Sequence, residues 1–196
     1  MTQLTFNQQL CDFIGRSPTP FHAVKTMSIE LEDAGFEELD DQSNWSLKPG
    51  SKYFICRNGS SLVAFVVGSD SAPVEGMRMV GAHTDSPCLM VKPVPENTRQ
   101  GYFQLGVEVY GGALLNPWFD RDLSLAGRVT FESTEGVLKS ALIDFQDAIA
   151  TIPSLAIHLD REANKKRSIN PQTDILPVLC QVSDGDAPNF QNLLKT

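Results

Sequence analysis

The stretch that decides the fold is MRMVGAHTDSPCLMVKP, Met77 to Pro93. Its first six residues, Met77 to Ala82, are a short run, apolar apart from Arg78, of the kind that forms a buried strand. Gly81 and Ala82 carry that run into an imidazole, His83, and Asp85 follows two positions later. Ser86-Pro87 then reads as a stop, because proline cannot donate to a strand ladder. The reading is a histidine and a carboxylate held at the carboxyl end of a strand, where sites in α/β proteins collect.

The segments upstream support a mixed α/β chain. Phe6, Leu10, Phe13 and Ile14 fall at helical spacing within residues 5–15. Thr19 is placed to cap a second helix with Pro20 in its first turn. Phe21, Val24, Met27, Leu31 and Ala34 continue that helix, and Gly35 is its natural stop. KYFICRNGSSLVAFVVG, Lys52 to Gly68, reads as strand, Asn58-Gly59 turn and strand. After Pro93 and Pro95 the texture changes. YFQLGVEVYGG, LSLAGRVTFES and GVLKSALIDF alternate short β-like runs with glycine across 101–145, as in an antiparallel β module. The chain then carries an apolar run around Leu155–Leu159, a charged stretch and a second apolar run, ILPVL, at 175–179.

The chain has 196 residues with a formal net charge of −8. An acidic surface disfavours nucleic acid and anionic membrane as partners. There is no apolar run of about 18 residues or more, the length a membrane helix needs. The amino terminus lacks the basic and apolar regions of a signal peptide. The four cysteines, Cys11, Cys56, Cys88 and Cys180, show no CxxC spacing, which reads as reduced thiols in a cytoplasmic protein.

His83 and Asp85 have a specific chemistry. Neutral imidazole is a good zinc ligand. A carboxylate that accepts the other ring N–H fixes the tautomer and makes the metal-facing nitrogen more basic. A serine or cysteine hydrolase built on Ser86 or Cys88 is the rival reading, but no G-x-S-x-G elbow is present and nothing marks Cys88 as an activated thiolate. His158, inside the apolar run Leu155–Leu159, is a second candidate ligand; its bland reading is a satisfied core or interface histidine. His22, in the first turn of the second helix, reads as structural or surface. Glu37-Glu38 reads as a solvated pair in a polar connector. On a strand, Asp120 and Asp122 would share a face opposite Arg121, and a structural ion pair is the reading preferred there.

GAHTDSPCLMVKP resembles the first metal-site motif of the aspartyl aminopeptidase family of zinc metallopeptidases. SPTPFHAV (17–24), VEVYGGALLNPWFDRDLSLAGRV (107–129), LAIHLDR (155–161) and INPQTDILPVL (169–179) resemble further stretches of that family in the same order. The resemblance implies the amino-terminal part of an α/β/α catalytic domain, residues 1–93, followed by a β-rich lid and oligomerisation domain, residues 94–196. It implies a zinc-dependent aminopeptidase that removes amino-terminal, acidic residues from peptides at a two-metal site, assembled as a homo-oligomer through the lid. Carried over by position, His83 would bind metal and Asp85 would orient it; His158 stays a secondary metal candidate from its own surroundings. Members of the family draw their remaining ligands and glutamate base from a segment after the lid. The chain alone is therefore expected to be incomplete and inactive, with unpaired sheet edges and a tendency to associate. The alternative is a catalytically inactive remnant acting as a binding or oligomerisation module.

Overall fold

The computed structural model describes residues 3–68, 76–183 and 188–195. Two helices come first, α1 (Gln3–Gly15) and α2 (Pro20–Asp33). Thr19 is extended, and its side-chain oxygen accepts from His22 N at 3.4 Å. That satisfies one of the amide donors a helix leaves open at its start. Gly35, at φ 81°, ends the helix in the left-handed region that glycine tolerates. α2 buries Ala23, Val24 and Thr26. The apolar stripe of α1 behaves differently. Phe6, Leu10 and Ile14 are exposed and α1 has no buried residue, because no other described element lies over that stripe.

The first sheet has the order β1 (Glu37–Glu38), β2 (Lys52–Arg57), β3 (Ser61–Val66). β1 runs parallel to β2, and β2 pairs antiparallel with β3 from Lys52↔Val66 to Arg57↔Ser61. The turn is the one Asn58-Gly59 demands. Both residues have positive φ, 53° and 62°, and Ser60 N donates to Arg57 O at 3.1 Å. Primed turns of this kind match the twist of paired strands. Tyr53 and Phe54 are buried, and the Tyr53 ring meets its cross-strand partner Phe65 at 5.8 Å.

The second sheet, β4 (Cys88–Arg99), β5 (Tyr102–Tyr110) and β8 (Val178–Gln181), is antiparallel. Pro93 and Pro95 lie inside β4 rather than ending it. The register jumps from Val91↔Val107 to Glu96↔Leu105, so Lys92–Pro95 bulge out of the ladder opposite Gly106. A bulge is where a strand can hold prolines. Gly106 fits because a Cβ there would come within 3.4 Å of Pro95 O. Phe103, Leu105 and Val107 alternate inward along β5. Val107 joins Phe119, Ile152 and Ile175 in one core cluster; Phe103 and Leu105 join Phe190 in another. Phe190 opens the short helix α3 (Phe190–Leu193), capped by Asn189.

β6 (Ala126–Glu132) and β7 (Leu138–Asp144) form a separate two-stranded sheet. The chain divides into two compact units. One holds the described residues through Ser86 together with Gly127–Leu142; the other holds Pro87–Ala126 and the residues from Ile143 onward. Within the first unit, Arg128 of β6 lies 4.1 Å from the centroid of the Phe21 ring and donates to Asn58 O at 2.8 Å. Among the described residues no helix is long and apolar enough to cross a membrane.

Candidate metal centre

The run expected to be a buried strand is not one. Residues 76–87 lie outside every strand, and Met77, Met79 and Val80 are 78%, 83% and 102% exposed. A strand needs a neighbour for its N–H and C=O groups, and none of the described strands pairs with this run. Ser86-Pro87 therefore precedes a strand, β4, instead of closing one.

The two side chains nevertheless meet. His83 Nδ1 lies 3.2 Å from Asp85 Oδ1 and 2.7 Å from Asp85 O. With the proton on Nδ1, the ring donates to Asp85 and Nε2 is left as the lone-pair nitrogen. The His83 side chain is 81% exposed, so that nitrogen is open to a cation. Thr84, between the two, ties the loop down by donating from Oγ1 to Ser60 O at 2.9 Å.

The donor set stops there. Among the described residues no group of three or more His, Cys, Asp or Glu could hold a metal ion. Zinc takes about four ligands, three of them from the protein at a catalytic site. The residues present supply one oriented imidazole and do not by themselves fit a resident metal.

The other candidates are placed as follows. His158 sits in a turn of the second unit, exposed, with Leu155, Ile157 and Leu159 also exposed. The apolar run around it is thus not core, because no described element covers it. His22 Nδ1 bonds Thr19 Oγ1 at 2.8 Å as part of the helix cap. Glu37 and Glu38 are exposed, but they form the short strand β1 instead of a connector. Burial raises the Cys88 thiol above its ordinary value, the opposite of what an activated nucleophile needs.

Asp120 and Asp122 do not alternate on a strand. Asn116–Trp118 form a 3-10 turn and Asp120 has φ 55°, so the segment reverses there. Asp120 Oδ1 accepts from Ser154 N at 2.8 Å, and the Ser154 hydrogen bonds hold its carboxyl below the usual range. Its partner is Ser154, through hydroxyl and backbone amide, and not Arg121.

Two groups in the second unit had no sequence signal of their own. Lys92 Nζ bonds Glu108 Oε1 at 2.9 Å and Gln172 Oε1 at 2.7 Å, and Gln172 Nε2 donates to Glu108 Oε2 at 3.2 Å. Arg167 lies 3.9 Å from the Phe119 ring centroid, donates to Asn116 Oδ1 at 3.2 Å and faces Asp160 at 4.0 Å. Both groups join segments far apart in the chain, which no local pattern marks.

Asp174, one residue before the buried Ile175, accepts from Asn170 N at 2.8 Å and from the Thr173 hydroxyl at 2.7 Å. The Asn170 amide, then Thr173, hold its carboxyl below the ordinary value of 3.8. A carboxylate with a depressed folded pKa stabilises the fold fully above its unfolded pKa and loses that contribution as pH falls through the folded one. Urea unfolding between pH 6 and pH 3 should therefore show stability falling toward the acid end, with a shallower fall in Asp174→Asn.

A family model described as "Aminopeptidase I zinc metalloprotease (M18)" matches residues 13–193. The chain belongs to the M18 peptidase family. It is 57% identical over 188 residues to a Pseudomonas savastanoi protein described as "Probable M18 family aminopeptidase 2", a match covering 96% of this chain and 44% of that protein. It is similar to mApe1 of Chaetomium thermophilum, with TM-score 0.82 and 37% identity over 94% of this chain and 42% of that one. It is also similar to the mApe1 dodecamer of S. cerevisiae, with TM-score 0.70 and 28% identity over 94% of this chain and 50% of that one. The mixed α/β architecture is thus that of M18 aminopeptidases. The chain spans under half the length of the curated M18 relatives it matches.

Proposed function

We propose that this chain carries part of a zinc-dependent aminopeptidase that removes amino-terminal residues, acidic ones in particular, from peptides. The observation that carries the reading is an M18 match over residues 13–193 that includes an imidazole oriented by its own carboxylate neighbour. His83 is the proposed metal ligand, through Nε2, and Asp85 the residue that orients it. His158 is the secondary candidate, exposed in the second unit. A two-metal site needs further donors, which we assign to sequence like that of the relatives' unmatched portion. Residues 1–93 are assigned to the catalytic function and 94–196 to a lid, as a division of roles. Homo-oligomerisation is proposed from the mApe1 dodecamer, and a cytoplasmic location from the unpaired cysteine spacing. The alternative of an inactive binding module is favoured by one feature, the apolar residues left exposed on α1 and on 77–80.

The test is metal binding with activity as a second readout. Zinc titration of the chain by calorimetry should give weak, substoichiometric binding, and His83→Ala should reduce it further. Hydrolysis of an aspartyl or glutamyl amide by the chain alone should not rise above background. Tight stoichiometric zinc retained in His83→Ala would sink the ligand assignment. Chelator-sensitive hydrolysis by the chain alone would show that no further donors are needed.

A further inference from the structure

A groove of about 360 Å³ lies within the first unit, walled by α2, by residues 140–142 of β7 and by Cys56 near the end of β2. Small-molecule sites begin at roughly that size, about 300–1,000 Å³. Phe21, Val24, Ala141 and Leu142 make its surface mostly apolar. Two cations, Lys25 and Arg128, also line it, and among the described residues no Asp or Glu does. That is a local excess of positive charge on a chain whose net charge is −8.

Arg128 is held in place before any ligand arrives. Its guanidinium lies 4.1 Å from the Phe21 ring centroid, and Nη1 makes both of its bonds to Asn58, to O at 2.8 Å and to Oδ1 at 3.2 Å. Among the described residues, Nε and Nη2 have no protein acceptor. Those two N–H groups form one edge of the planar fork, the kind of edge that grips a carboxylate through two parallel hydrogen bonds. A side chain already ordered loses little rotamer freedom on binding. Lys25 is exposed and has no carboxylate partner among the described residues.

The other polar groups of the groove are engaged within the protein. Ser28 Oγ donates to Val24 O at 2.9 Å, and Ser140 Oγ is bonded to Thr130 Oγ1 at 3.1 Å. Burial, and after it the charges of Glu38 and Glu32, keep the Cys56 thiol above its ordinary value, so it is no activated nucleophile. Neither of those glutamates is among the walls. The groove thus offers an anion site and apolar surface, with nothing to accept an ammonium group.

We propose that this groove binds a small amphiphilic carboxylate, its head on Arg128 and Lys25 and its hydrocarbon body against Phe21, Val24 and Leu142. The absence of an acidic wall disfavours free amino acids, whose ammonium group would go unpaired. The inference does not rest on the aminopeptidase reading, and its test needs no metal and no hydrolysis.

Octanoate is the probe, with octan-1-ol and octylamine as partners of the same length that remove or reverse the charge. Calorimetry on the 196-residue chain should give one octanoate site with Kd below about 1 mM, and the alcohol and amine should bind about tenfold more weakly or worse. Iodoacetamide labelling mapped by mass spectrometry locates the site. Octanoate should slow Cys56 about threefold or more and leave the exposed Cys11 and Cys180 unchanged. Lys25→Gln and Arg128→Gln should each weaken octanoate binding by about fivefold or more. Ala141→Trp, at an exposed groove position, should abolish it by filling the space without touching a charge. Lys25 and Ala141 are exposed, so these two variants keep the test valid if Arg128→Gln fails to fold. Equal binding of octanoate and octan-1-ol overturns the proposal, as does octanoate binding that leaves Cys56 labelling unchanged or survives Ala141→Trp. Cys56 protection that grows with chain concentration in the absence of octanoate also overturns it, since another copy of the chain would then be the occupant.

Discussion

Phe54→Ala is expected to destabilise the first unit by about 3–5 kcal/mol, the range for deleting a buried aromatic ring. Phe54 is fully buried in β2, paired with Glu38 on one side and Ala64 on the other. Its carbonyl also accepts from Leu39 N at 2.8 Å. Few other side chains of this unit are as well covered: among the described residues, Ala23, Val24, Thr26 and Tyr53 are the remaining buried ones. A loss of that size is a large part of the about 5–15 kcal/mol that holds a domain together. Trp45, whose indole donates to Asp40 O at 2.7 Å, reports on this unit. Its fluorescence during urea unfolding, read in a Trp118→Phe background, should show the transition moved to much lower urea or lost in buffer. Val63→Ala, at an exposed site, should move it by no more than about 0.5 kcal/mol. An unchanged midpoint in Phe54→Ala would mean that the ring is not the core of this sheet.

Local signals were legible wherever the chain's neighbours in sequence are also its neighbours in space. Asn58-Gly59 makes the hairpin because both residues accept positive φ. Thr19-Pro20 opens α2 because a hydroxyl acceptor and a missing N–H suit the first turn. Prolines misled the reading of β4. Pro93 and Pro95 look like an end, but a four-residue bulge opposite Gly106 absorbs them and pairing resumes at Glu96. The apolar run 77–82 misled in the other direction. Its composition specifies a strand, but composition cannot supply the neighbour that a strand must bond.

The site divides along the same line. The His83–Asp85 contact is two residues long, so spacing alone could anticipate it. Arg167 on Phe119 and Asn116, and Lys92 with Glu108 and Gln172, close over 16 to 80 positions, and nothing near any of these residues announces the partner. Asp120 shows the cost of extrapolating a strand. Alternation put it on a face with Asp122, whereas a left-handed backbone turns it to Ser154 N.

Ile175→Asn should be the most damaging single change in the second unit. Ile175 is fully buried in a cluster with Val107, Phe119 and Ile152, and Trp118 packs against that cluster. Truncating a buried isoleucine costs about 2–5 kcal/mol through lost transfer and the cavity left behind. The amide adds a polar group among apolar side chains, and leaving it without partners costs about 1–3 kcal/mol more. Trp118 fluorescence in a Trp45→Phe background should show a second unit that is unfolded or melts well below the parent. Ile175→Val, which removes one methylene, should cost only about 0.5–1.5 kcal/mol. Its effect should be non-additive with Phe119→Leu, because the two side chains belong to the same cluster. If Ile175→Asn shifts the transition no further than Ile175→Val does, the cluster is not what holds the 116–120 and 169–175 segments, and the stacking of Arg167 on Phe119 must do so instead.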